Sequence, residues 1–267
     1  MFGKKKNSKL INEIIRLNDA AVYAEEQGDS IMILSYIDKA LEMAGRIKKY
    51  QLLNWIVECN YTRYHFLYDS DIDKRQCRDT YMYLRNIVKT NISQEQFKII
   101  KEQYSILLID LMSLLLDGKS NELFEEILEE VCNLSEANEI EIQRREYLQI
   151  MYSGLAASYY VKLGNYAVAI HYGTMILNQV EYAEEISNLK LFFLNQLLFS
   201  YALSGQLEHA ADLGRFLYVK YLKNEMKIDD MNEIHRMFYG YTVALSMKGE
   251  YRLAYHVLKK IFDKGIM

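Results

Sequence analysis

One pattern of apolar and polar residues recurs along the chain, each time directly after a glycine, and its apolar positions have helical spacing. The clearest copies are GDSIMILSYIDKAL from Gly28, GNYAVAIHYGTMIL from Gly164, GQLEHAADLGRFLY from Gly205 and GEYRLAYHVLKKIF from Gly249, and a looser copy, GKSNELFEEILEEV, begins at Gly118. Successive copies are 90 residues (two periods of 45), 46, 41 and 44 residues apart. A period of this length is typical of stacked helical hairpins, each too small to bury its apolar face alone.

The repeat predicts an all-α solenoid of about six antiparallel helical hairpins. The chain contains no proline, which fits helices that are joined by short turns. We expect a flexible basic N-terminus at residues 1–7 and a single domain at residues 8–264. The hairpins are predicted at residues 8–46, 48–91, 94–133, 136–181, 183–223 and 228–264.

The turns between helices follow from local chemistry. Each repeated glycine is predicted to take the left-handed conformation that ends a helix. The second hairpin lacks this glycine, and its turn is predicted in YDSDIDK, where Ser70 and Asp71 supply turn chemistry. The third hairpin begins after Asn91, with Ser93 and Gln96 at the spacing of a capping box.

Small residues stand at fixed distances after the turn glycines. Ala169, Ala210 or Ala254 follows five residues later, and Gly173 or Gly214 follows nine residues later. We expect these positions to be the places where the two helices of a hairpin cross closely.

The phrases GNYAVAI and GEYRLAY give the chain its resemblance to tetratricopeptide-repeat (TPR) proteins. That family's pattern of a turn glycine, an acidic or amide residue, an aromatic residue and then alanine is seen in GNYAVAI and partly in GEYRLAY. The resemblance is good in hairpins four to six, fair in the first, and weak in the second and third. The period of 41–46 residues is longer than the 34 of the family, and the closing proline is missing. The resemblance implies a right-handed solenoid of a divergent, long-helix type, similar to the repeats of bacterial regulatory proteins that include cytosolic receptors for signalling peptides.

Composition and charge exclude several classes of function. The net charge of −4 argues against nucleic acid as a direct partner. Cys59, Cys77 and Cys132 have neither a disulfide-framework nor a metal-ligand spacing and predict reduced thiols. The most apolar run, Ile106 to Leu116, is too short to cross a bilayer. Together with the absence of a secretory signal, these features predict a cytoplasmic protein that does not bind membranes.

No arrangement of residues predicts catalysis. The five histidines are scattered, and the chain has no HExxH pair, phosphate-binding loop, dinucleotide fingerprint or nucleophile elbow. We therefore expect no enzyme activity, no cofactor and no metal site.

The resemblance places the lining of a concave groove at 13, 10, 6 and 3 residues before each turn glycine. A row of asparagines there would hold the backbone of an extended peptide, and aromatic residues would supply apolar pockets. Alternatively, the asparagines cap or bridge helices and the aromatic residues fill the core. The candidate binding residues are Asn18, Asn60, Met151, Phe192, Asn195, Phe199, Arg236 and Tyr239.

These observations predict a non-catalytic scaffold that binds a protein or peptide in its groove. The alternative is a regulatory sensor of a short intracellular signalling peptide that acts on a partner protein. Tyr255, Leu258 and Phe262 fall on the last predicted helix, whose outer face either turns inward or is covered by a partner or a second copy. A homodimer is therefore a further hypothesis.

Overall fold

Antiparallel helices make up almost all of the computed structural model, which describes residues 2–47, 51–116, 121–136, 142–180 and 186–263. Their contacts group into two compact units, Met1–Ile140 and Glu141–Met267. The single domain expected from the sequence and the flexibility of residues 1–7 stay predictions, although the first helix already begins at Phe2.

The first unit consists of three consecutive helical hairpins. Each helix packs against the next one along the chain, and the third helix also packs against the fifth. The pairs are α1 (Phe2–Glu26) with α2 (Ser30–Ala44), α3 (Gln51–Tyr68) with α4 (Lys74–Asn91), and α5 (Gln94–Leu115) with α6 (Asn121–Glu136).

The second unit repeats this arrangement and adds one short parallel bridge. Strand β1 (Ile186–Ser187) lies in the segment that joins the first hairpin of this unit to the second, and strand β2 (Met226–Lys227) lies in the segment that joins the second to the third. The two strands pair in parallel. The helical pairs are α7 (Ile142–Lys162) with α8 (Tyr166–Val180), α9 (Asn188–Leu203) with α10 (Leu207–Leu222), and α11 (Met231–Met247) with α12 (Tyr251–Asp263). The all-α class and the six hairpins are thus confirmed, whereas the bridge was not predicted.

The repeated glycines reverse the chain as predicted. Gly28, Gly164, Gly205 and Gly249 have φ values of 71°, 72°, 79° and 82°. At Gly205 the backbone N–H donates to the Ala202 carbonyl at 3.2 Å, and the next N–H donates to the Tyr201 carbonyl at 2.9 Å. These are the bonds of a Schellman motif, which satisfies the last carbonyls of the helix. Gly118, the looser copy, lies outside the described residues.

An asparagine makes the same motif after α10. Asn224 has φ 57°, and its N–H donates to the Tyr221 carbonyl at 3.1 Å. Asparagine tolerates the left-handed region better than most residues, so this position could have been proposed from its side chain. This turn was not predicted, because the predictions of turns relied on glycine and none stands here.

The two other predicted turns are confirmed in position. In the second hairpin, the Asp69 carboxylate accepts the Asp71 N–H at 3.0 Å and Asp73 caps α4, so these two aspartates supply the chemistry that we expected from Ser70 and Asp71. Ser93 and Gln96 form the capping box of α5.

The glycines nine residues after the turns lie between hairpins rather than within them. A methyl group at Gly214, on α10, would lie 2.4 Å from the Tyr241 ring on α11. At Gly173, on α8, it would lie 2.9 Å from Leu197 on α9. Both contacts join the second helix of one hairpin to the first helix of the next, which corrects the expectation. The reason is that the second helix has two neighbours, and a spacing pattern does not distinguish them.

We predict that Gly205→Ala lowers the free energy of unfolding by about 1–2 kcal/mol, because an alanine at φ 79° is strained even though no atom lies near its Cβ. Gly45→Ala is the matched control, since Gly45 ends α2 with φ −56°. Urea unfolding followed by circular dichroism measures both, and equal stabilities of the two variants would contradict the prediction.

Candidate functional site

The surface of the second unit that best fits a binding site lies on α9 and α11, the first helices of their hairpins. Helix α9 packs against α7, α8, α10 and α11, so most of its side chains are buried. Phe192 and Phe199 remain half-buried at its open edge. On α11, Tyr239 is 64% exposed and Arg236 is also exposed.

Two of these residues form an aromatic pair across the helices. The ring centroids of Phe199 and Tyr239 are 6.3 Å apart. The close approach of α9 to α11 depends on Gly240, where a methyl group would lie 2.8 Å from Leu198 and 3.6 Å from the Phe199 ring. The glycine next to Tyr239 therefore allows the two rings to meet.

Asn195, also predicted to bind a ligand, has no exposed surface. Its Nδ2 atom donates to the Glu233 carbonyl and to the Glu233 carboxylate, both at 2.9 Å. The other carboxylate oxygen accepts from Arg236 Nη1 at 3.0 Å. Asn195 thus bridges α9 to α11 through its Nδ2 atom, which is the alternative that the sequence left open.

The two asparagines of the first unit bond to each other. Asn60 Nδ2, on α3, donates to Asn18 Oδ1, on α1, at 3.1 Å. Asn18 Nδ2 in turn donates to the Ile14 carbonyl at 3.1 Å. The structure brings this pair together as a bridge between neighbouring hairpins, so both amides are engaged within the protein.

The remaining candidates pack partly against the core. Met151, on α7, and Phe192 are half-buried against the hydrophobic core of the second unit. Phe192 lies two turns before Phe199 on the same side of α9. We name Met151, Phe192, Phe199, Arg236 and Tyr239 the aromatic face.

A cavity in the first unit was not predicted as a site. Its volume is about 530 Å³, and it lies between α1, α3 and α5. The only signal in the sequence was Ile15, at the lining position thirteen residues before Gly28. The lining residues are Ile11, Ile15, Gln51, Leu52, Leu53, Ile56 and Gln96.

Ionisable groups in the first unit form structural contacts. The buried Asp110 carboxylate accepts from Arg63 Nη1 at 2.8 and 2.9 Å and from the Tyr81 hydroxyl at 3.1 Å. Burial raises its pKa despite the arginine. Burial also raises the pKa of the Cys59 thiol, which keeps it protonated and unreactive at neutral pH.

His65 lies between two carboxylates. Its Nδ1 atom lies 3.0 Å from the Asp69 carboxylate, and its Nε2 atom lies 3.2 Å from the Asp38 carboxylate. The two carboxylates contact opposite sides of the ring, so they cannot share a metal ion with it. Throughout the described ranges, no group of three or more His, Cys, Asp or Glu side chains could hold a metal ion.

No helix among the described residues is long and apolar enough to span a membrane. No protein-family model matches the sequence, and no curated protein matches it. Among solved structures, the chain is similar to a tetratricopeptide repeat protein from Parabacteroides merdae, with a TM-score of 0.51 and 15% sequence identity. The similarity covers 94% of this chain and 80% of that chain. The fold is therefore a TPR-like helical repeat, as the resemblance in the sequence implied.

We predict that Asn195→Ala destabilises the protein by roughly 1–3 kcal/mol, because the buried Glu233 carboxylate loses a hydrogen-bond donor. Asn86→Ala, at an exposed position on α4, is the control and should change the stability little. Thermal and urea unfolding measure both changes. A fully stable Asn195→Ala variant would argue against the bridge.

Proposed function

We propose that this protein is a non-catalytic scaffold that binds a protein or peptide segment on the aromatic face of its second unit. The observation that carries the proposal is the pair of half-buried Phe199 and exposed Tyr239 on the first helices of adjacent hairpins. Stacked helical hairpins usually bind partners along the face that their first helices form.

The side chains of the aromatic face suit a protein partner. Large aromatic residues and arginine supply most of the binding energy in protein interfaces. The Phe199 ring is half-buried and lies beside the Tyr239 ring and Gly240, so binding costs little additional ordering of that side chain. Arg236 keeps one contact to Glu233 while its side chain stays 52% exposed, which leaves guanidinium donors for an acidic group of the partner.

The engaged asparagines change the expected mode of recognition. Amide groups that are free would bind the backbone of any extended peptide. Since Asn18, Asn60 and Asn195 bond within the protein, recognition by the aromatic face depends on the side chains of the partner. We therefore expect selectivity for a segment with apolar residues next to an acidic one.

The sensor of a short signalling peptide is the second candidate function, and the cavity of the first unit favours it. A volume of about 530 Å³ falls within the range of small-ligand pockets, roughly 300–1,000 Å³. Five aliphatic side chains and two glutamines line it, so it suits a few uncharged side chains of a short peptide.

We predict that Phe199→Ala combined with Tyr239→Ala weakens partner binding at least about tenfold, since each aromatic anchor typically contributes more than about 1 kcal/mol. Affinity capture from the native source, with mass spectrometry of intact proteins and short peptides, identifies the partner. Titration of that partner then gives the dissociation constants of the wild-type and variant proteins.

Tyr83→Ala is the matched control, because Tyr83 is 58% exposed but lies on α4, a second helix. Binding that survives the double substitution would contradict the proposal. A short peptide that is retained by the double variant and lost from Ile15→Ser would instead favour the sensor.

A further inference from the structure

Helix α12 presents an apolar stripe to solvent. Tyr251 is 71% exposed, Tyr255 63%, Leu258 37% and Phe262 64%. Their spacing of four, three and four residues places them on one face of the helix. Four large apolar side chains in a row are more than the isolated exposed residues that are normal on a protein surface.

The stripe is distinct from the buried side of the same helix. Ala254, Val257 and Ile261 face the core of the second unit and are almost fully buried. The core is therefore complete without the stripe, and the exposed side chains are not needed to hold α12 in place. The stripe shares no residue with the aromatic face.

The described side chains that flank the stripe with a charge are basic. Arg252, Lys259 and Lys260 are exposed, and the sequence has no acidic residue between Glu250 and Asp263. Arg252 and Lys259 lie next to the stripe on the helix, about 60–100° around the axis from it. Glu250, just before the helix, has its carboxylate 2.8 Å from the Lys248 ammonium.

This charge pattern discriminates between occupants. In an antiparallel two-fold pairing of two such stripes, the Arg252 and Lys259 side chains of both chains would lie along the same edge of the interface, where like charges repel. A partner helix with an apolar stripe and acidic flanks would pair with them instead. Tyr251 and Tyr255 can also donate hydrogen bonds to carboxylates.

We propose that the outer face of α12 binds an acidic amphipathic helix of a protein partner. The stripe is one helix wide, which matches a helix-to-helix seam, whereas helices that lie in a membrane surface use a broader apolar face. The partner helix would place apolar residues against Tyr255 and Phe262 and glutamates or aspartates against Arg252 and Lys259.

A display library of amphipathic helical peptides tests this proposal on the full chain. The peptides keep leucine at i, i+4, i+7 and i+11, and their flanking positions vary among Glu, Lys and Gln. Wild-type protein should enrich peptides with Glu over Lys at the flanks by about tenfold, as expected for a few favourable charge pairs. Loss of this preference at high salt should follow from screening.

Substitutions on the stripe and beside it should act differently. Tyr255→Ser with Phe262→Ser should weaken the binding of an enriched peptide by about 100-fold, because two aromatic anchors are lost. Arg252→Glu with Lys259→Glu should reverse the selection toward Lys-flanked peptides. All four positions are exposed, so these variants should fold. If the serine variant nevertheless fails to fold, the charge-reversal variant still tests the proposal.

The controls separate this surface from the others. Ile31→Ser and Tyr83→Ser, at exposed positions on α2 and α4, should leave peptide binding unchanged. Phe199→Ala with Tyr239→Ala should also leave peptide binding unchanged. The test of the α12 surface is therefore independent of the test of the aromatic face.

Four results would overturn the proposal. Enrichment that does not depend on α12, or that shows no charge preference, would mean that no acidic helix is recognised. A dimer in analytical ultracentrifugation that Tyr255→Ser with Phe262→Ser abolishes would identify a second copy as the occupant. Binding to phosphatidylserine vesicles that the same variant loses, without peptide binding, would identify a lipid surface.

Discussion

A chain that passes from one helix into the next within about three residues needs a sharp reversal, and a residue in the left-handed region of backbone space supplies it in the hairpins that turn at Gly28, Gly164, Gly205 and Gly249. Gly164, Gly205 and Gly249 do so in the second unit, and each gives its hairpin a turn that satisfies the carbonyls at the helix end. Because the turn is short, the two helices must lie side by side. Each hairpin then has an apolar face that only the next hairpin can bury, and the stacking within each unit follows.

Stacking decides which surfaces remain for binding. Helix α9 has four neighbouring helices, so most of its apolar residues belong to the core and only its open edge, with Phe192 and Phe199, meets solvent. The last helix of the second unit has the opposite situation, since α12 packs mainly against α11 and leaves Tyr255 and Phe262 exposed. The same kind of side chain is thus core or surface according to the number of described helices around it, and both proposed binding surfaces lie where fewer of these helices pack.

Polar residues inside the repeats join hairpins to each other. Asn195 connects α9 to Glu233 on α11, and Asn60 connects α3 to Asn18 on α1. Buried polar groups of this kind need partners, which fixes how neighbouring helices are aligned along their axes. An asparagine at a position that would line a groove therefore serves the fold here, and the proposed recognition rests on the aromatic side chains and on Arg236.

The helices, their pairing and most of the described turns could be predicted from residue type and spacing, because glycine conformation, helical spacing and capping are local properties of the chain. Gly205 and the capping box at Ser93 are examples in which these local signals were sufficient. The packing of Gly214 against Tyr241 on the next hairpin, the burial of Asn195 and the exposure of the α12 stripe became known from the fold alone. These outcomes depend on which helices meet across long sequence separations, and a one-dimensional pattern of apolar residues marks a face without identifying what covers it.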